Sequence, residues 1–123
     1  MTILIVDNDT VFLDTISQRL ALRGVDVLCA TSGREALEIL EKEGVETVIL
    51  DISMPEMSGL DTLKAIKADH PSLPVLMLTG HASRSTAQES IEMGAADYLC
   101  KPFPMDELLE KIQECGGQET LGT

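Results

Sequence analysis

Five short apolar runs, each followed by a segment with helical spacing, leave this chain very few ways to fold. Thr2–Val6 is nearly continuous in apolar residues, as a strand covered on both faces must be. Val11, Phe12, Ile16 and Leu20 then recur at helical intervals, with Asp9 or Thr10 placed to cap the start and Gly24 to stop the helix. Val25–Ala30 reads as the second strand. Ser32 or Gly33 opens the next helix, whose apolar face is Ala36, Leu37, Ile39 and Leu40, and Gly44 ends it. Thr47–Leu50 is the third run, followed by Asp51 and a loop over Ile52–Gly59. Leu60, Leu63, Ala65 and Ile66 mark a helix to about His70, where Pro71 ends it. Leu73–Leu78 is the fourth strand. Ser83 caps a weakly amphipathic helix that reaches Met93 and stops at Gly94. Ala96–Cys100 is the fifth strand, Lys101-Pro102 breaks it, and Pro104–Glu114 forms the last helix with proline in its first turn.

A strand–helix unit repeated five times predicts an α/β fold: a doubly wound parallel sheet with helices on both faces. The flavodoxin-like (βα)5 arrangement with strand order 2-1-3-4-5 is the expected one. The 123 residues suit one domain, expected over 1–115, and the polar, glycine-rich stretch 116–123 is expected to be a flexible tail.

Composition narrows the function. A net charge of −12 repels a phosphate backbone, so direct nucleic-acid binding is not expected, and anionic membranes are disfavoured for the same reason. The acidity suits a partner with a basic patch or a site that collects a divalent cation. Phe12, Tyr98 and Phe103 are the only aromatic residues, so the core must be aliphatic. Cys29, Cys100 and Cys115 have neither CxxC nor Cys/His spacing; Cys29 and Cys100 read as small core residues, with no disulfide framework or thiolate metal site. No apolar stretch approaches the roughly 18 residues of a membrane span, and no leader pattern precedes the first strand, so a cytoplasmic location is expected.

In a doubly wound sheet the binding crevice forms at the carboxyl ends of the strands, where the strand order reverses. Asp7, Asn8 and Asp9 follow the first strand, Asp51 the third, Thr79 and Gly80 the fourth, and Lys101 the fifth. The edge strand 2 contributes only Thr31 and Ser32. Asp7 and Asp51 end adjacent strands, and two close carboxylates require a compensating cation. Oxygen ligands of this kind favour a hard ion such as Mg²⁺. Lys101 adds a fixed positive charge, and Thr79 a hydroxyl able to donate to an oxyanion. A carboxylate nucleophile, a metal, an ammonium and a hydroxyl at one point suit phosphoryl transfer to an aspartate. Taken singly, each residue has a plainer role: Asp9 reads as a helix cap, and His70 and His81 as solvated loop residues. The joint placement of Asp7, Asp51, Thr79 and Lys101 is what points to chemistry.

The runs ILIVDND (3–9), VILDISMPEMSGLD (48–61), LMLTGHAS (76–83) and GAADYLCKPF (94–103) resemble the receiver domain of bacterial two-component response regulators, over Thr2 to about Glu114. The resemblance implies that Asp51 is phosphorylated from a phosphohistidine of a sensor kinase or phosphotransfer protein. It further implies Mg²⁺ held by Asp7, Asn8, Asp51 and the backbone carbonyl of Ser53, and Lys101 paired with the phosphoryl oxygens. Thr79 would turn toward the phosphate and Tyr98 swing inward behind it. That movement would change a partner surface formed by the last two helices and the strand between them. An output domain or protein target, and homodimerisation on phosphorylation, belong to the same implication. Ser53 and His81 match the positions that tune dephosphorylation. The chain departs from the usual pattern at Asn8, where a second acid is customary, so a weaker hold on Mg²⁺ is expected.

Two other readings compete. Asp7-Asn8-Asp9-Thr10 matches the DxDxT signature of haloacid-dehalogenase-type phosphatases, with Asp7 as nucleophile and Asp9 as acid/base; the second acidic cluster of that class is missing, since Asp97 stands alone. An unphosphorylated pseudo-receiver, acting only as an interaction module, is hinted at by Asn8 alone. Apart from its own phosphorylation and dephosphorylation, the receiver reading expects no enzymatic activity.

Overall fold

The computed structural model describes residues 1–54, 57–80 and 84–116. It contains β1 (Thr2–Val6), α1 (Thr10–Ala21), β2 (Asp26–Ala30), α2 (Gly33–Lys42), β3 (Thr47–Asp51), α3 (Gly59–Asp69), β4 (Val75–Thr79), α4 (Arg84–Glu92), β5 (Asp97–Cys100) and α5 (Met105–Gly116). All strands are parallel, in the order β2-β1-β3-β4-β5, which is the topology the alternation predicts.

The period-2 geometry of the strands divides the core in two. Ile3, Ile5, Ile49, Leu76, Leu78 and Leu99 face α1 and α5, where Leu13, Ile16, Leu20, Leu108 and Ile112 meet them. Leu4, Val6, Val48, Leu50, Val75 and Met77 face the opposite way, against Ala36 and Leu40 of α2 and Leu63 and Ile66 of α3. Every residue of β3 and β4 is buried, which explains why their sequences lack polar alternation. Among the described residues no helix is long and apolar enough to cross a membrane.

Local chemistry sets the element ends. Asp9 Oδ1 accepts from the Phe12 amide at 3.1 Å and Ser32 Oγ from the Glu35 amide at 3.1 Å, capping α1 and α2. Ser58 caps α3 through the Asp61 amide at 3.2 Å. Gly24 and Gly94, at φ 82° and 110°, reverse the chain after α1 and α4 in a conformation that side chains resist. The proposed cap Ser83 lies outside the described residues.

Several boundaries move from their expected places. β4 begins at Val75 rather than Leu73: the Pro74 carbonyl accepts from the Val48 amide at 3.0 Å, but proline has no N–H to continue the ladder. β2 starts at Asp26 because the Val25 amide is spent on the Leu20 carbonyl at the end of α1. β5 starts at Asp97, and α5 starts at Met105 and continues to Gly116; the Pro104 carbonyl accepts the first helical bonds from outside. α4 ends at Glu92, one residue before the expected Met93. Asp51 and Thr79 close β3 and β4 as strand residues instead of following them. The cysteine reading needs a larger correction. Cys29 and Cys100 are exposed, not core, because they lie on the two edge strands, and only Cys115 is partly buried.

Candidate functional site

The parallel ladders carry Asp7, Asp51, Thr79 and Lys101 to the carboxyl end of four neighbouring strands. The Asp7 amide bonds to the Ala30 carbonyl at 3.0 Å, extending β1 by one rung and fixing where its side chain emerges. In the β3–β4 register Asp51 lies opposite Leu78, and in the β4–β5 register Thr79 lies opposite Cys100. The Lys101 amide bonds to the Thr79 carbonyl at 2.8 Å, so Lys101 leaves the sheet beside the threonine. Gly59 brings the first turn of α3 against the same point. A Cβ there would overlap the Asp51 carbonyl and the backbone of Ile52, and the Gly59 amide donates to the Ile52 carbonyl at 2.9 Å. No larger residue permits that approach.

Three of these side chains are buried polar groups: Asp7 is fully buried, Thr79 is 2 % exposed and Asp51 6 % exposed. Lys101 Nζ sits 2.6 Å from Asp7 Oδ2, while the Asp9 amide donates to Asp7 Oδ1 at 2.9 Å. Both oxygens of Asp7 are therefore engaged. The ammonium also lies 4.3 Å from the centroid of the Phe12 ring, which meets Phe103 edge to face at 6.3 Å. Sequence reasoning missed this aromatic support, since nothing in helical spacing tells which side of α1 a lysine 89 positions away will cover.

The acidity of Asp51 is weakened by its surroundings. Burial, reinforced by the charge of Asp7, pushes its carboxyl from 3.8 up to about 6, although Lys101 and the backbone amides of Ser53 and Ile52 pull the other way. A buried carboxylate that is still under-compensated beside a second one is a site that gains from a further cation. The donors are all oxygen: two carboxylates, the Asn8 carboxamide in the exposed bend after β1, and backbone carbonyls in the Ile52–Ser53 turn. That chemistry fits Mg²⁺, which takes one or two carboxylates and keeps its remaining ligands as water. Among the described residues no group of three or more His, Cys, Asp or Glu is arranged to hold a metal.

The other predicted residues are distributed as follows. Asn8 and Ser53 are exposed at the rim. Thr79 Oγ1 donates to Cys100 Sγ at 3.3 Å. Tyr98 is half-buried and packs against the core shared with α2 and α3. Asp9 is committed to capping α1. His81 lies outside the described residues.

Comparison with known proteins gives a consistent result. The family profile described as the response regulator receiver domain matches residues 3–113. The transcriptional regulatory protein ZraR of Escherichia coli K12 is 40% identical over 112 residues, covering 91% of this chain and 25% of its own length. The response regulator MprA of Mycolicibacterium vanbaalenii is 35% identical over 90% of this chain and 48% of its own. The chain thus spans a quarter to about half of the length of these relatives. Among solved structures, the receiver domain of NtrX from Brucella abortus superposes with a TM-score of 0.88 at 33% identity, covering 92% of this chain and 96% of that one. A CheY-like receiver domain protein from Methanospirillum hungatei gives 0.86 at 37% identity, covering 92% and 90%.

Proposed function

The chain belongs to the response regulator receiver domain family, and from that membership we propose that Asp51 is its phosphoacceptor. The observation that carries this is Asp51 itself: a buried carboxylate at the end of β3, held beside Asp7 and Lys101, with acidity weakened to about 6. It stays largely ionised at neutral pH yet is a better nucleophile than an ordinary aspartate. An Asp51 oxygen attacks the phosphorus of a donor phosphohistidine, the P–N bond breaks, and the imidazole leaves with the bonding pair. The product is an aspartyl phosphate. Asp7, Asn8, Asp51 and the Ser53 carbonyl would hold Mg²⁺, which would supply charge neutralisation for the phosphoryl oxygens. Lys101 contributes a second positive charge on the Asp7 side. Thr79 then turns its hydroxyl to the new dianion, Tyr98 follows inward, and the surface of α4, β5 and α5 changes its preference for partners. Ser53 and His81 tune the rate of hydrolysis.

In this reading the receiver unit occupies 1–115, with 116–123 as a tail. Its phosphodonor is a sensor histidine kinase or phosphotransfer protein in the cytoplasm. The surface beyond the site serves an output domain or protein target and a phosphorylation-linked homodimer, and the domain catalyses only its own phosphorylation and dephosphorylation. The lengths of the relatives, two to four times the matched region, support an attached output domain in this group.

Incubation with acetyl phosphate and Mg²⁺, followed by intact mass, tests the reading. Wild type gains one phosphoryl group and Asp51→Asn gains none. Labelling that survives loss of Asp51 but not of Asp7 would make the chain a phosphatase of the Asp7-nucleophile type; no labelling at saturating Mg²⁺ would make it an interaction module. Asn8 carries a second expectation. Its carboxamide ligates without charge, so Asn8→Asp binds Mg²⁺ about tenfold more tightly, the effect of one added charge at an effective dielectric near 20 after its own desolvation. Equal affinities in a Mg²⁺ titration would dispose of this.

A further inference from the structure

The hydroxyl of Thr79 finds its partner on β5. It donates to Cys100 Sγ at 3.3 Å across the β4–β5 ladder, where Thr79 and Cys100 are register partners. Neither strand can drift to relieve that contact, because the Lys101 amide is tied to the Thr79 carbonyl at 2.8 Å. Thr79 itself is 2 % exposed, so its hydroxyl has little water to turn to. β4 lies between β3, which ends in Asp51, and β5, which ends in Cys100. Rotation about the Thr79 side-chain torsion would carry the hydroxyl off the sulfur to another staggered position.

We infer that Cys100 is a positioning residue for the switch: its sulfur holds the Thr79 hydroxyl away from Asp51 before phosphorylation and thereby sets how readily the hydroxyl crosses over. The inference rests on Asp51 being the phosphoacceptor. A thiol sulfur is a weak acceptor. A phosphoryl group on Asp51 is a charged acceptor of about twice the strength of a neutral one, so the exchange runs toward it once the group is in place. Because the hold is weak, it biases the equilibrium without locking it. An apolar residue at position 100 would leave the buried hydroxyl without a resting partner and favour the crossed state from the outset.

The test is a double-mutant cycle read by affinity for beryllofluoride, an analogue of the phosphoryl group, in the presence of Mg²⁺. Cys100→Val removes the acceptor on an exposed edge position and retains strand propensity; Cys100→Ala serves as the second variant. Either binds beryllofluoride roughly two- to tenfold more tightly than wild type, the range expected for one net hydrogen bond. In a Thr79→Val background the same replacements have no effect on affinity. Unchanged affinity in both variants, or a gain that persists without the Thr79 hydroxyl, overturns the inference. Failure of wild type to bind beryllofluoride at all overturns instead the assignment of Asp51 on which it rests.

Discussion

Replacing Lys101 with methionine lowers the unfolding free energy by roughly 2–4 kcal/mol, more than any single loss at the rim of the pocket. The reason lies with its partner. Asp7 is buried, with one oxygen 2.6 Å from the ammonium and the other on the Asp9 amide. Without Lys101 the charge keeps a single amide donor and sits beside a second buried carboxylate, Asp51. The cation–π contact with Phe12 is lost as well, although the methionine stem preserves most of the packing on that ring. The reverse change is milder. Asp7→Asn strands a lysine whose side chain is 27% exposed, so its ammonium reaches water. Urea unfolding of the two single variants and of Asp7→Asn/Lys101→Met should place Lys101→Met lowest and return the double variant most of the way to wild type. Strict additivity of the two changes would refute the buried pair as the source of the effect.

The second expected result has the opposite sign. Asp51→Asn stabilises the Mg²⁺-free domain at pH 7.5, by roughly 3 kcal/mol. The Asp51 carboxyl is raised from 3.8 to about 6, so the folded state holds a proton more tightly than the unfolded one. Above pH 6 both states are ionised and the folded state carries the full penalty of a buried charge. As pH falls from about 6 to 3.8 the folded carboxyl protonates first and the penalty fades; below 3.8 it is gone. Asparagine has the shape of the protonated acid at every pH. Thermal unfolding of both proteins in chelator at pH 7.5 and pH 3.5 should show a higher Tm for Asp51→Asn at the first pH and none at the second. Added Mg²⁺ should narrow the gap at pH 7.5 by stabilising wild type alone. A variant that is less stable than wild type at pH 7.5 would contradict the whole account of this pocket. A proton or a metal cation offsets that buried charge, whereas a phosphoryl group adds negative charge that a cation and Lys101 have to meet.

How much of this was readable beforehand depends on whether backbone or side chain decides it. Topology followed from continuous apolar runs such as Val48–Leu50 and Val75–Leu78, because only strands covered on both faces have that composition. The positions of Asp7, Asp51, Thr79 and Lys101 followed from the rule that parallel strands share a direction. Pairings within the cluster did not follow. Lys101 rests on Asp7 and over Phe12, and Thr79 on Cys100, through rotamer choices that no spacing encodes. Cys29 and Cys100 were misplaced because an apolar run gives the average burial of a strand, whereas an edge strand buries its residues unequally, as the pattern of β2 shows. The shift of the β4 start to Val75 turned on the missing N–H of Pro74, a single atom that hydropathy ignores.

The bond between Lys101 and Asp7 spans 94 residues, linking the first strand to the turn after the last. During synthesis Asp7 leaves the ribosome with almost the whole chain still to come, and its counter-charge emerges only after β5. A parallel sheet offers no neighbouring hairpin to stand in meanwhile, since each pairing must wait for its crossover helix. The Lys101–Asp7 pair can therefore form only after β5 and the turn that follows it have been made, and a chain lacking them leaves Asp7 and Asp51 without this counter-charge.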